Sequence, residues 1–201
     1  MRQIQLIVKR FFDIIICFIG FIIISPFFLI ICLAIIFDDS GPIFFKQKRI
    51  GKDGKIFDII KFRTMVQNAE KIGDGLVVQT EDDPRITKVG RFLRKTSMDE
   101  LPQLLNIIKG EMSLIGPRPP VTYHPYNGYE NYSEKAKLRF KMRPGITGLA
   151  QVEKRNSATW DERIEIDVKY VENFSLFLDM KIFFKTFSSL RYTEEYTEQK
   201  K

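Results

Sequence analysis

Ile14-Ile15-Ile16-Cys17-Phe18-Ile19-Gly20-Phe21-Ile22-Ile23-Ile24-Ser25-Pro26-Phe27-Phe28-Leu29-Ile30-Ile31-Cys32-Leu33-Ala34-Ile35-Ile36-Phe37 carries no charged residue. Whether this run crosses a bilayer or dips into it decides the architecture of everything after it. As a continuous helix at ~1.5 Å per residue it would reach about 36 Å, enough for a hydrocarbon core of about 30 Å. A cleavable signal peptide does not fit, because the run is too long and no small-residue cleavage site precedes the polar part. Two features argue against a plain spanning helix. Ser25-Pro26 falls near the middle, where proline removes a backbone N–H and pushes Ser25 away from helical geometry. The Ser25 hydroxyl is placed to cover a freed carbonyl. Both flanks are also basic, with Lys9 and Arg10 before the run and Lys46, Lys48, Arg49, Lys52 and Lys55 after it. Such flanks are retained on the cytoplasmic side. A helix–break–helix hairpin within one leaflet satisfies both observations, while a proline-kinked spanning helix satisfies the length.

The remaining composition narrows the chemistry. At 201 residues there is room for one ordinary domain beside the apolar run. A net charge of +7 and a pI near 9.3 suit nucleic acid, an anionic membrane surface or phosphorylated substrates. Both cysteines, Cys17 and Cys32, lie in the apolar run, and His124 is the only histidine. That argues against a disulfide framework or a zinc enzyme and leaves a hard cation held by oxygen, with Mg²⁺ the first expectation.

In the polar part, Thr96-Ser97-Met98-Asp99-Glu100-Leu101-Pro102-Gln103-Leu104 follows a cationic run of Arg91, Arg94 and Lys95. An apolar helical pattern comes next (Leu101, Leu104, Leu105, Ile107, Ile108). The chain then reaches a stiff loop, Gly116-Pro117-Arg118-Pro119-Pro120. Carboxylates among guanidiniums near a helix start suit phosphate chemistry. The competing reading is simple capping, with Ser97 or Asp99 as the cap and the acids in a first turn. Pro102 is tolerated only if the cap is Asp99.

Around this centre, strands are expected at 43–47 and 55–62, joined by Gly51-Lys52-Asp53-Gly54. Lys61 and Arg63 share a face if extended, which charge composition alone reads as a solvated basic edge. Helices are expected from Met65 to Lys71, Lys88 to Arg94, Ser133 to Phe140, Trp160 to Glu172 and Leu176 to Leu190. In the last, Leu176, Met180, Phe183, Phe187 and Leu190 form a stripe for a core or for a membrane interface. Glu81-Asp82-Asp83-Pro84 reads as a solvated turn before a proline. Arg143-Pro144-Gly145-Ile146-Thr147-Gly148 allows close backbone approach and the cradling of a phosphate, or simply a tight turn. Tyr123-His124-Pro125-Tyr126 is polar and aromatic, suited to stacking against a ligand or to simple packing as a surface loop.

Thr96 to Leu104 and Lys109-Gly110-Glu111-Met112-Ser113-Leu114-Ile115-Gly116-Pro117-Arg118-Pro119 resemble the core of the bacterial sugar transferase family, the monotopic phosphoglycosyl transferases. Further matches are Lys61-Phe62-Arg63-Thr64-Met65, Asp83-Pro84-Arg85-Ile86-Thr87 and Arg143 to Gln151, within a likeness running from about Lys9 to about Leu190. In length the chain resembles the small single-domain members. The resemblance implies an α+β fold: a re-entrant membrane helix hairpin over 1–39 with its break at Ser25-Pro26, a mostly helical cytoplasmic catalytic domain over 40–192 with a β-hairpin and interfacial amphipathic helices, and a flexible tail over 193–201. Asp13 is expected to pair with a basic neighbour.

The implied reaction transfers a sugar 1-phosphate from a UDP-sugar to polyprenyl phosphate at the cytoplasmic face of the bacterial inner membrane, releasing UMP. Asp99 is then the nucleophile and Glu100 the Mg²⁺ ligand, with Asp99 beside it. Arg94 and Arg118 grip phosphate, and Lys61, Arg63, Arg143, Thr147 and Gln151 are further phosphate or substrate contacts. Asp167 supports an arginine, and Pro117 and Pro119 stiffen the Arg118 loop. Membrane lipid is an expected partner, nucleic acid is not, and a homodimer is left open. The rivals are a non-catalytic membrane scaffold and a membrane-tethered nucleic-acid binder, the latter requiring salt-dependent binding.

Overall fold

Helix α1 runs from Arg2 to Asp38 without division at Ser25-Pro26 in the computed structural model, which describes residues 2–72, 83–154 and 157–190. The sequence led us to expect a break there. The carbonyl that Pro26 cannot engage is that of Ile22, and the Ser25 hydroxyl donates to it at 2.8 Å. The helix therefore continues through its proline with that acceptor satisfied. Among the described residues α1 alone is long and apolar enough to cross a membrane, and only 11 % of its most apolar window is buried. A soluble core helix would hide that surface; this one leaves it open.

The inner stripe of α1 docks along the rest of the chain. Cys17 packs in a cluster with Phe57, Ile59, Ile107 and Met112. Ile31 and Ile35 pack with Phe62 and Leu93. The polar residues at both ends make specific contacts. Lys9 pairs with Asp179 at 2.6 Å, both nearly buried, and Tyr170 donates to the other Asp179 oxygen at 2.7 Å. Asp13 was expected beside a basic neighbour. Its charge acts on Arg10, and its hydrogen bonds come from the Ser113 hydroxyl at 2.7 Å and the Leu114 N–H at 3.2 Å.

Strands β1 (Phe44–Ile50) and β2 (Ile56–Phe62) form the expected hairpin, antiparallel with Arg49 opposite Phe57 and Lys46 opposite Ile60. Asp53 adopts a left-handed φ of 53° in its turn. The free edge of β2 is completed by one side chain. Asn106, fully buried, accepts from Ile60 N–H at 3.1 Å and donates to the Asp58 carbonyl at 2.8 Å. This satisfies peptide groups that an edge strand would otherwise leave unpaired.

Helix α2 (Lys88–Lys95) is capped by Thr87, whose hydroxyl accepts from Gly90 N–H. Helix α3 (Gln103–Lys109) ends at Gly110 with φ 88°. These helices flank the Asp99-Glu100 turn, and α1 holds both. Asp38 accepts from Val89 N–H at 2.7 Å at the start of α2. Arg10 donates to the Ile107 and Ile108 carbonyls at the end of α3. Met65 to Lys71, expected as a helix, forms only a 3₁₀ turn at Ala69–Lys71. Met65 instead bridges Ile86, and Asn68 takes a left-handed φ of 58°.

The three-residue strands β3 (Ser113–Ile115) and β4 (Gly145–Thr147) pair in parallel. Short helix α4 (Glu134–Lys137) leads into a 3₁₀ turn, where one uninterrupted helix to Phe140 was expected. Helix α5 (Leu149–Lys154) follows β4. Helix α6 (Trp160–Glu172) opens on a capping box between Thr159 and Glu162. Helix α7 spans Leu176–Leu190. On α7 the expected stripe divides: Leu176 and Phe183 pack against buried Ile182, Tyr170 and Phe174, Ile182 having stood outside that stripe. Phe177, Met180 and Phe184 face outward at 75 %, 56 % and 66 % exposure. The tail over 193–201 and, in the acidic turn, Glu81 and Asp82 lie outside the described residues. Asp83 is described, and it pairs with Arg85 at 2.6 Å.

Candidate active site

Neither candidate cap at the Asp99-Glu100 turn caps a helix. Ser97 takes a left-handed φ of 56° with no side-chain cap, and Met98–Glu100 forms a 3₁₀ turn. Helix α3 begins only after Pro102. Both carboxylates are thus free of helix-start duties and turn toward cations. Lys61 Nζ lies 2.5 Å from Glu100 Oε1 and 3.6 Å from Asp99 Oδ2. Arg118 Nη2 lies 3.4 Å from the same Glu100 oxygen. Lys61 reaches them because Asn106 of α3 binds the edge of β2 just before it.

The two carboxyls are pushed apart electrostatically. Burial raises the Asp99 pKa; Lys61 opposes this, the Glu100 charge adds to it, and the balance stays above the ordinary value. Burial also works against the Glu100 anion, but Lys61 and Arg118 together outweigh it and bring its pKa down to about 2. Glu100 is therefore a fixed anion and Asp99 a less tightly held one, two environments of the kind that give adjacent acids different roles.

The other expected site residues divide. Arg94 donates through Nε to the Thr64 hydroxyl at 2.9 Å and adds its charge to the field at Asp99. Arg63 is directed elsewhere: it binds the Asp39 and Ser40 carbonyls and the Asp39 carboxylate at the end of α1. Strand β2 ends at Phe62, so the alternation that put Arg63 on Lys61's face stops one residue short of it.

The Arg143-to-Gln151 segment is built into the scaffold. Arg143 Nε caps the end of α3 through the Gly110 carbonyl at 2.8 Å. Thr147 bonds Thr186 of α7 at 2.8 Å. Gln151 donates to the Ile146 carbonyl at 2.9 Å. Its glycines do permit close approach, but to the neighbouring loop: a Cβ on Gly145 would lie 2.1 Å from Gly116 N. Asp167 pairs with Arg139 at 2.5 Å in the interior, and the Pro117 carbonyl accepts from Gly145 N–H at 3.0 Å. In the aromatic stretch, His124 packs edge-on to Trp160 and Tyr126 donates to Asp161, whereas Tyr123 accepts from Gln47 beside Arg49.

Arg49 and Arg139 stand near Arg118, and sequence reasoning did not select either. Arg49 passed as part of a basic flank and Arg139 as a charge on a helical segment. A basic residue set among apolar neighbours, as in Leu138-Arg139-Phe140, was the one available signal for Arg139.

Among the described residues no group of three or more His, Cys, Asp or Glu converges on one point. Mg²⁺ is commonly held by one or two carboxylates with substrate phosphates completing its shell. Glu100 and Asp99 supply hard oxygen donors of that kind, and the lowered Glu100 pKa favours its anionic form.

Residues 4–192 match the family model described as bacterial sugar transferase. The chain is 42 % identical over 198 residues to the exopolysaccharide production protein ExoY of Sinorhizobium fredii, covering 92 % of this chain and 86 % of that protein. It is 42 % identical over 193 residues to a UDP-glucose:undecaprenyl-phosphate glucose-1-phosphate transferase of Klebsiella pneumoniae, covering 92 % of this chain and 40 % of that one. It is 40 % identical over 191 residues to an undecaprenyl-phosphate galactose phosphotransferase of Salmonella typhimurium, covering 89 % and 39 %. The chain thus spans most of the first relative and about two fifths of the other two.

Proposed function

The chain belongs to the bacterial sugar transferase family, and from that premise we propose that it is a membrane enzyme moving a sugar 1-phosphate from a UDP-sugar to undecaprenyl phosphate, with release of UMP, in exopolysaccharide or capsule synthesis. The observation that carries this reading is the unequal treatment of two adjacent carboxylates. Lys61 and Arg118 converge on Glu100, while Asp99 keeps only the longer contact to Lys61.

In the proposed mechanism an Asp99 oxygen forms a bond to the sugar-bearing phosphorus as that phosphorus loses its bond to the UMP oxygen. UMP leaves with the electron pair, and an aspartyl phosphosugar remains. A phosphate oxygen of undecaprenyl phosphate then attacks the same phosphorus and expels the Asp99 carboxylate. Lys61, Arg94 and Arg118 offset the charge of the diphosphate and keep the attacking anion beside it. Glu100, with Asp99 beside it, would hold Mg²⁺, which when bound neutralises phosphate charge as a Lewis acid. Visiting one cationic site in turn also spares two anionic substrates from meeting there.

Monotopic association, with both ends of α1 on the cytoplasmic side, belongs to the same proposal. What supports it is that Lys9 and Asp13 near one end, and Ile35 and Asp38 at the other, all grip the same globular unit. A helix crossing the bilayer would place those grips on opposite sides. The outward Phe177, Met180 and Phe184 of α7 are proposed to enter the interface beside it.

A UMP-release screen over a panel of UDP-sugars, in detergent with undecaprenyl phosphate, tests the activity. Incubation with labelled UDP-sugar and no acceptor should leave hydroxylamine-sensitive label on a peptide containing Asp99. Label elsewhere, or none while UMP appears, would overturn the assignment of Asp99. Thiol labelling of a cysteine at position 3 from outside intact cells would overturn the topology.

A further inference from the structure

Pro117-Arg118-Pro119-Pro120 has a single backbone N–H among four residues, so it has almost no donors with which to build its own structure. It has four carbonyls, and each of them is engaged. The Pro117 carbonyl accepts from Gly145 N–H at 3.0 Å and that of Pro120 from Ile50 N–H at 3.0 Å. The two between them accept from guanidiniums: Arg139 Nη2 reaches the Arg118 carbonyl at 2.9 Å, and Arg49 Nη1 reaches that of Pro119 at 3.0 Å. The prolines remove the loop's torsional freedom, and the four bonds fix where its backbone sits.

Guanidiniums are expensive donors to place there. Arg139 is 1 % exposed, and Asp167 neutralises it. Its Nε and Nη1 are buried and make no well-aligned hydrogen bond, the Tyr132 hydroxyl lying near the guanidinium, and Arg49 Nε is buried without a partner. Among the described residues no carboxylate pairs with Arg49; its other terminal nitrogen donates to the Gln47 side chain at 2.6 Å. A purely structural filler would be better served by an apolar side chain of similar volume, since buried charge with idle donors is destabilising. Arg49 also stands close enough to Arg118 for the two charges to oppose each other. Burial first, and Arg118 second, push the Arg49 pKa down to about 10. An incoming diphosphate relieves that crowding.

We propose that Arg49 and Arg139 are positioning residues that clamp the carbonyls on either side of Arg118 and so aim its guanidinium at the phosphate site. The proposal rests on the reading of Arg118 as a phosphate grip. The Arg118 side chain is about a third exposed, with its Nη2 3.4 Å from Glu100. Its mobility therefore lies in the side chain, and the clamp removes it from the backbone. An arginine so anchored loses less freedom on gripping a phosphate than one on a flexible loop.

A double-mutant cycle decides the matter, read both in kcat/KM for UMP release and in UDP affinity by calorimetry. Arg49→Ala leaves no orphaned carboxylate, so the protein should fold. It should lose about 10-fold in UDP affinity and more in kcat/KM, and Arg49→Lys, which reaches one of the two acceptors, should recover part of the loss. In an Arg118→Ala background the same change should cost less than about 3-fold. Arg139→Met paired with Asp167→Leu, which removes both buried charges together, should behave as Arg49→Ala does. Multiplicative losses in the double mutant, or a lowered Tm with UDP affinity intact, would overturn the clamp. Wild type that released no UMP from any UDP-sugar would overturn the functional reading instead, and the UDP-binding cycle would still decide the clamp. Wild type that failed to bind UDP at all would overturn both.

Discussion

Gly116-to-Pro120 and Arg143-to-Gly148 are neighbours joined by the β3–β4 pairing, and each sets an arginine beside proline and glycine. By composition either could bind phosphate. Arg118 extends to Glu100, whereas Arg143 turns to the Gly110 carbonyl at the far end of α3. The difference lies in what claims each guanidinium. A helix C-terminus offers Arg143 a row of unpaired carbonyls. The carbonyls around Arg118 are taken by other donors, which leaves its own guanidinium for an anion. A loop reads as a binding loop when its donors have no internal acceptor, and sequence composition does not reveal that.

The largest effect that would sharpen the contrast is at the acid facing the first loop. Asp99→Asn should lower turnover by several orders of magnitude in UMP release and abolish covalent labelling, with the melting temperature little changed. Next come the two arginines themselves. Arg118→Ala should reduce kcat/KM by roughly 10²-fold or more. Arg143→Ala should leave kcat/KM within a few-fold and destabilise by about 1–2 kcal/mol, as denaturant unfolding would show. Equal catalytic losses at both positions would break the comparison. Glu100→Gln should weaken activity in a way that added Mg²⁺ partly restores, and a titration of UMP release against Mg²⁺ would check it.

A smaller and more graded effect is expected with pH. In its proposed role Asp99 must be anionic to attack, and burial holds its pKa above the ordinary 3.8. The acid limb of the pH–rate profile should therefore set in at higher pH than an exposed aspartate would give. Lys61 is the strongest influence lowering that pKa, so Lys61→Met should move the limb further upward. A limb that stayed in place would separate Lys61 from the proposed role of Asp99.

How much of this was legible in the sequence depended on the range of the interaction. Helices α6 and α7 were readable because a 3.6-residue period persists over three turns or more. The hairpin was readable from its Gly-Lys-Asp-Gly turn. Strands β3 and β4, at three residues each, have no period to read, and they exist because Gly116 and Gly145 let two backbones meet. The acids Asp99 and Glu100 stood out as residues, but their 3₁₀ turn did not, since it depends on the left-handed Ser97. Lys61 was legible as a cation to set near the two acids, while Asn106, which completes the edge of β2, lies forty-six residues from the Ile60 it binds. Arg63 was misplaced because the strand ends before it; at Ser25-Pro26 the hydroxyl's cover of the freed carbonyl was legible, but not that the helix would run on through it.

Asp38 and Arg10 have a practical consequence for anyone wishing to make the protein water-soluble. The usual remedy for a membrane enzyme is to remove its anchor and purify what remains. Here, deleting residues 1–39 would uncap α2 at Val89 and strip the end of α3 of its Arg10 donors. It would also leave Phe57, Ile59, Met112, Phe62 and Leu93 facing water. The two helices that hold the Asp99-Glu100 turn would each lose a fastening in the same cut. A soluble form should be sought by repainting the outward face of α1 with polar residues, leaving its inner stripe in place.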